Sequence, residues 1–343
     1  MDTELKVKVL KRIACMITMI LILLNFNLAL PVQAADNESS STSKFITVDG
    51  KDMHIVLYGE LDQNGVAFAD PDKETLVMLP ALAVPSPNIY FKPLAEALSS
   101  EYNVVVIEPF GYGLSDMTES ARTVENINRE LNKALETLGI DRCTLLVHSI
   151  SGVYGLNFLY SYPEKVNAFI AIDNTVYDEE LSDAMEMEQE YMLQTAQEFD
   201  ELRNTFDNVE AFEAAITADP SQYGAELPEI VGYTYTESDR DEYYRAYARS
   251  SNQTIQNEIQ NMENSLGKIK GKKFPSTLPV LMLLSSDNVE TMPVWQTAHE
   301  EQLDFTSGNH KLHVVKGSHY IWYTNIINVV EYILGMNNNN HEF

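Results

Sequence analysis

The stretch Leu145-Leu-Val-His148-Ser149-Ile150-Ser151-Gly152 sets a serine at the joint between an apolar strand and a helix. A residue at such a joint is forced into a tight turn that lifts its side chain above the sheet. Ser149 is therefore a candidate nucleophile, and a serine that merely caps the helix is the alternative. The turn normally needs small residues two positions to either side; Ser151 meets that need and Val147 does not. A hydroxyl is a weak nucleophile unless a base takes its proton, a carboxylate orients that base, and backbone N–H groups meet the oxyanion that forms. Seven histidines are available. His319, in Lys316-Gly317-Ser318-His319-Tyr320, lies on a loop after the last expected strand and is the candidate base. His310 and His313 have a spacing that would suit a metal, but they flank or lie in that strand without a third ligand, so neither metal nor cofactor is expected.

The elements that must position these groups follow from the pattern. Phe45 to Val48 and Met53 to Tyr58 flank Asp49-Gly50 and predict a hairpin. Short apolar runs at Leu76–Leu79, Val104–Ile107, Cys143–Val147 and Ala168–Ile172 alternate with helical stretches at 88–98, 124–138 and 152–160. That alternation means a parallel sheet covered on both faces. After Asp173 the pattern stops for about a hundred residues that are helical, acidic and dotted with Tyr and Phe. It resumes with a strand at Val280–Leu284, a helix near 294–303, a strand at Leu312–Val315 and a helix at 320–334. The expected organisation is a core of 45–174 and 276–336 interrupted by an insertion of 175–275, with Asn337 to Asn340 a frayed tail.

The chain has 343 residues, 45% of them apolar, enough for a large core. Its 23 basic and 51 acidic side chains give a net charge of −28, which excludes electrostatic binding to nucleic acid or anionic membrane surfaces. Between Asp178 and Glu242 there are 20 Asp and Glu against only Arg203 and Arg240, so the acidity belongs mainly to the insertion. Residues 1–35 form a targeting segment: Lys6, Lys8, Lys11 and Arg12 precede an apolar run from Ile13 to Leu30 that ends near Val32-Gln33-Ala34. Export is expected, with an uncleaved signal anchor in the membrane as the alternative, and 36–44 as a linker. Without Cys15 only Cys143 remains, so no internal disulfide can form.

Glu108-Pro-Phe-Gly111-Tyr-Gly113-Leu-Ser115-Asp116, taken with the Ser149 turn and the strand order, resembles the α/β-hydrolase superfamily over Phe45 to Leu334. The likeness is closest to exported Gram-positive bacterial members with a helical cap. Two features depart from the pattern: Val147, and Leu79-Pro80-Ala81-Leu82-Ala83 where many members have His-Gly. The resemblance implies an α/β-hydrolase fold, mostly parallel with helices on both faces and a helical cap insertion, and a nucleophile, acid, histidine order along the chain. Asp287, after the strand Val280–Leu284, is then the expected acid, with Asp173 and Glu290 as alternatives. The oxyanion hole falls to the N–H groups of Ile150 and Leu82, with Ala81 as the neighbouring choice. Glu108 is expected to be a structural acceptor for the Gly-rich loop.

The resemblance also makes the insertion the place where substrate is selected, with Tyr and Phe lining a pocket. Its acidic groups are expected to be a solvated face, or else Glu186, Glu188, Glu190 and Asp239 to Glu242 attract a cationic substrate. The resulting expectation is a serine hydrolase cleaving a small ester or amide through an acyl-enzyme, its partner a small-molecule or peptide substrate. A prolyl aminopeptidase-like exopeptidase and a non-catalytic binding protein on the same fold are the rivals.

Overall fold

The computed structural model describes residues 41–59 and 70–336. The targeting segment, most of the expected linker, most of the turn-rich stretch after Tyr58, and the 337–340 tail lie outside the described residues. Eight strands form one sheet in the order β1-β2-β4-β3-β5-β6-β7-β8. They are β1 (Ser41–Val48), β2 (Lys51–Tyr58), β3 (Glu74–Leu79), β4 (Tyr102–Ile107), β5 (Cys143–His148), β6 (Val166–Ile172), β7 (Val280–Ser285) and β8 (His310–Val315). β1 and β2 form the expected hairpin, β2 runs antiparallel to β4, and every later pairing is parallel.

β1 begins four residues before the expected strand, taking 41–44 from the expected linker. Ser41 pairs with Tyr58 and Lys44 with Ile55, and Ser43 Oγ bonds His54 Nε2 at 2.6 Å. Polar residues look like linker in sequence, but an edge strand with one face in solvent accommodates them.

Alternate residues of the central strands supply two cores. Val77, Val105, Leu145, Val147 and Phe169 pack beneath α2 (Val124–Leu138) and α3 (Ser151–Ser161). Leu76, Val104, Leu146 and Ile170 pack on the other face beneath α1 (Pro87–Leu98) and α11 (Ile321–Leu334). Successive strand residues point to opposite faces, so a run apolar at every position must be covered twice. Helix ends follow local rules: Ser86 and Thr123 cap α1 and α2, and Gly139 ends α2 with a left-handed φ of 71°.

Between β6 and β7 the described residues contain helices and no strand: α4 (Glu179–Arg203), α5 (Val209–Ala218), α6 (Glu237–Arg249), α7 (Gln253–Gln260) and α8 (Met262–Gly267). Asp178 caps the 25-residue α4, with Glu179 and Glu180 in its first turn and Arg203 in its last, matching the helix dipole. Phe212, Ile216, Ala225 and Ala248 form a small core of this insertion, joined by Phe199, Phe206, Tyr223, Tyr244 and Tyr247. These rings hold the insertion together. Beyond β7 come α9 (Ser286–Thr291) and α10 (Trp295–Glu300), where one helix had been expected. Among the described residues, no helix is long and apolar enough to cross a membrane.

Candidate active site

Parallel strands deliver their C-terminal ends to one edge of the sheet, and the loops there bring distant residues together. Ser149 stands at that edge between β5 and α3 with φ 55°. The left-handed region costs a non-glycine residue about 1–2 kcal/mol. Two backbone bonds hold it there: Gly152 N and Thr175 N both donate to Ser149 O, at 2.9 and 2.8 Å. The Val147 departure has its compensation on α3. A Cβ on Gly155 would lie 2.9 Å from Val147 Cγ1, so the glycine that lets strand and helix approach sits on the helix instead of the strand. Ser151 Oγ donates to Pro80 O, tying the turn to the loop after β3.

His319, on the loop between β8 and α11, is bonded through Nδ1 to Asp173 Oδ2 at 2.6 Å. Asp173 directly follows β6 and is fully buried. Its Oδ1 accepts from Ser285 N and Trp295 Nε1, both at 2.9 Å, and its Oδ2 also accepts from Asn288 Nδ2 at 2.5 Å. The carboxylate is ringed by donors. With Nδ1–H directed at Asp173, the tautomer leaves His319 Nε2 free to accept a proton.

The expected acid, Asp287, is not the partner of His319. β7 passes into α9 without a loop: Ser285 caps that helix and Asp287 falls in its first turn. There its side chain is exposed and touches Ser286 Oγ at 3.2 Å, while the next residue, Asn288, turns inward to Asp173. Glu290 is likewise exposed. The carboxylate therefore comes from the neighbouring strand.

His148, just before the nucleophile, is buried; its Nδ1 accepts from Tyr90 Oη at 2.5 Å and its Nε2 donates to His319 O at 2.9 Å. Burial, reinforced by the nearby His319, pushes its pKa well below the ordinary value, so it stays neutral and holds the His319 backbone beside β5. The two imidazole centroids are 4.4 Å apart. Ser149 Oγ itself makes no hydrogen bond among the described residues, an arrangement compatible with catalytic contacts that tighten on substrate binding.

Ala83 also has a left-handed φ, 58°, and its N–H is taken by Tyr112 Oη at 3.3 Å. Among the described residues, the N–H groups of Ala81, Leu82 and Ile150 make no hydrogen bond, so the two expected oxyanion donors remain uncommitted. Glu108 accepts from Leu114 N at 2.8 Å and Asn88 N at 3.1 Å. It also pairs with His54 Nδ1 at 2.7 Å. A Cβ on Gly113 would strike the Glu108 carboxylate, which explains that glycine. Burial opposes protonation of His54, but the Glu108 hydrogen bond and charge outweigh it and raise the pKa.

His310 accepts from Asp304 N at 2.7 Å, and His313 stacks on Tyr332. Both are occupied structurally, and no group of three metal-ligating side chains occurs among the described residues. In the insertion, Asp239 closes the N-terminal capping box of α6 and bonds Lys92 at 2.5 Å, while Glu242 accepts from Asn88 Nδ2 at 2.7 Å. Those two carboxylates dock α6 on α1. Glu186 and Glu190 are exposed. Glu188 is exposed as well, yet protein packed around its carboxylate raises its pKa while nearby His319 pulls the other way. It lies three residues after Met185, which packs on the core, and four before Met192, which packs with Leu82 and Ala83. Helical spacing puts it on the face of α4 turned toward the catalytic edge.

Residues 74–324 match the family described as the alpha/beta hydrolase fold. The chain belongs to the α/β-hydrolase family. Among curated proteins, this α/β-hydrolase is 28% identical to the uncharacterized protein YbdG of Bacillus subtilis over 37% of its own length and 36% of that protein. It is 29% identical to the putative carbamate hydrolase RutD of Stutzerimonas stutzeri, over 35% of this chain and 42% of the relative. The chain thus spans well under half the length of these two relatives. The crystal structure of wild-type Cfl2 from Burkholderia cenocepacia superposes with a TM-score of 0.60 at 17% identity, covering 89% of this chain and 99% of that one. At that identity the likeness concerns the fold.

His148, Gly155, Asn288 and Trp295 were not read as site residues in the sequence. Only His148, adjacent to the nucleophile, carried a signal there; the others depend on which strands lie side by side.

Proposed function

We propose that this α/β-hydrolase is a serine hydrolase that cleaves a small ester or amide through an acyl-enzyme, with Ser149 as nucleophile, His319 as base and Asp173 as the orienting acid. The observation that carries the reading is the hydrogen bond from His319 to the buried Asp173 carboxylate at the same sheet edge as the strained Ser149. His319 Nε2 takes the hydroxyl proton as Ser149 Oγ bonds to the carbonyl carbon, and Asp173 stabilises the imidazolium. The N–H groups of Ile150 and Leu82 meet the oxyanion, each such donor being worth about 3–4 kcal/mol. Collapse of the tetrahedral species passes the proton to the leaving group, and water repeats the sequence to free the acid. RutD, a putative carbamate hydrolase by name, is compatible with carbonyl chemistry of this kind.

The helical insertion acts as a cap over this edge, and the exported or anchored location follows from residues 1–35. A fluorophosphonate should label the protein purified from Ala35 onward, and Ser149→Ala should abolish labelling. A folded wild-type protein that takes no label would instead favour the non-catalytic binding reading.

Glu188 supports a second reading, in which the substrate carries a cation such as the amine of a peptide. Comparing amino-acid p-nitroanilides with neutral p-nitrophenyl esters tests it: Glu188→Gln should raise KM for the former and remove its salt dependence. Equal effects on both substrate types would end the idea.

A further inference from the structure

Glu258 lies on α7 of the insertion, 2% exposed, and points into the core beneath the catalytic edge. One of its oxygens, Oε1, accepts from Tyr112 Oη at 2.8 Å and from Tyr154 Oη at 2.9 Å. Each phenol is tied to one of the two segments expected to supply the oxyanion donors. Tyr112 Oη accepts from Ala83 N, next to Leu82 on the loop after β3. Tyr154 stands on the first turn of α3, its N–H bonded to Ile150 O at 3.4 Å. Burial keeps both phenols protonated, so both donate to the carboxylate.

The remaining charge is held by Arg122, fully buried, which pairs with Glu130 at 2.5 Å and faces Glu258 Oε2 at 3.8 Å. Beside these groups is a cavity of about 30 Å³, lined in part by Arg122, Asn128, Ser151, Tyr154 and Glu258 itself. α7 is fastened independently: Asn252 Nδ2 donates to Gly111 O, Thr254 Oγ1 to Thr118 O, and Arg122 N to Asn257 Oδ1. Leu82 and Ala83 themselves pack against Ala196, Ile255 and Ile259 of the insertion.

We propose that Glu258 is a positioning residue through which the insertion sets the oxyanion hole, one carboxylate oxygen holding Tyr112 with the Ala83 loop and Tyr154 with the Ile150 turn. The role rests on the serine-hydrolase reading above. The carboxylate touches no reacting atom, so its contribution is the alignment of two N–H groups with an oxygen whose charge appears only in the transition state. Removing a whole oxyanion donor costs about a hundred- to a thousandfold in rate; displacing one should cost less, about tenfold.

The test uses p-nitrophenyl acetate hydrolysis and the second-order rate of fluorophosphonate labelling across pH, on wild type, Tyr112→Phe, Glu258→Ala and Glu258→Gln. Tyr112→Phe and Glu258→Ala should lower kcat and the labelling plateau about tenfold, leave KM nearly unchanged, and leave the midpoint of the pH profile where it was, because His319 is untouched. Glu258→Gln keeps an acceptor oxygen for both phenols and should retain most of the rate. Hydrogen exchange at the Ala83 amide should be slow in wild type and in Glu258→Gln, and faster in the other two. Wild-type plateau rates in Tyr112→Phe, a shifted pH midpoint, or unchanged Ala83 exchange would overturn the proposal. A folded wild-type protein that is never labelled overturns the serine-hydrolase reading and the oxyanion role with it, while slow Ala83 exchange that Glu258→Ala speeds up would still show that Glu258 orders this loop.

Discussion

Replacing Asp173 by Asn separates the two candidate acids. The four donors around the carboxylate are not equivalent. Ser285 N–H and Trp295 Nε1–H, both on Oδ1, can never become acceptors, so the new amide NH₂ cannot face them. It must take the place of Oδ2, opposite Asn288 and His319. Asn288 can adapt, because its buried Oδ1 has no partner among the described residues and a flip of the amide presents it. His319 adapts only by accepting at Nδ1, which moves its proton to Nε2 and removes the base from Ser149. A wrong tautomer of this kind costs about 10⁴ in kcat, or about 5 kcal/mol of transition-state stabilisation. Asp287→Asn, at an exposed position whose side chain accepts from Ser286 Oγ, should stay within about twofold, as surface substitutions stay within about 0.5 kcal/mol. The assay is p-nitrophenyl acetate hydrolysis with circular dichroism to verify folding. An Asp173→Asn protein that is folded and within tenfold of wild type, or an Asp287→Asn protein that is equally crippled, would refute the assignment.

Gly155→Ala should destabilise the fold by about 1–3 kcal/mol through overpacking against Val147 and Phe169, and adding Val147→Ala should restore part of that loss by relieving the first of these contacts. Urea melts of the single and double variants measure the coupling, and additive effects would exclude the compensation. The His54–Glu108 pair carries a pH dependence of defined sign. Because the folded-state pKa of His54 is raised, its stabilisation is complete below the ordinary histidine value of about 6.5 and is lost as pH rises through the folded value. Thermal melts across that window should fall more steeply for wild type than for His54→Asn, and parallel curves would contradict the pairing.

Much of this architecture was legible in the sequence because it rests on local rules. Strands apolar at every position demand cover on both faces, and the alternation with helices made that cover parallel. Ser149 announced itself by standing between a strand and a helix, and His319 by following the last strand. The polar start of β1 was missed because an edge strand tolerates residues that compose linkers just as well. The aromatic residues of the insertion were identifiable, but their use in an internal core was not.

The identity of the acid belongs to the tertiary structure. Asp173 and Asp287 each follow an apolar strand, and the chain pattern ranks them by habit alone. In space β6 and β7 are neighbours, and β7 runs directly into a helix. That turn swings Asp287 into solvent and aims Ser285 N and Asn288 at Asp173, where Trp295 and His319 complete a ring of donors. A buried carboxylate is tolerated only where such donors converge, and their convergence from three separate segments is a property of the fold, which no spacing along the chain encodes.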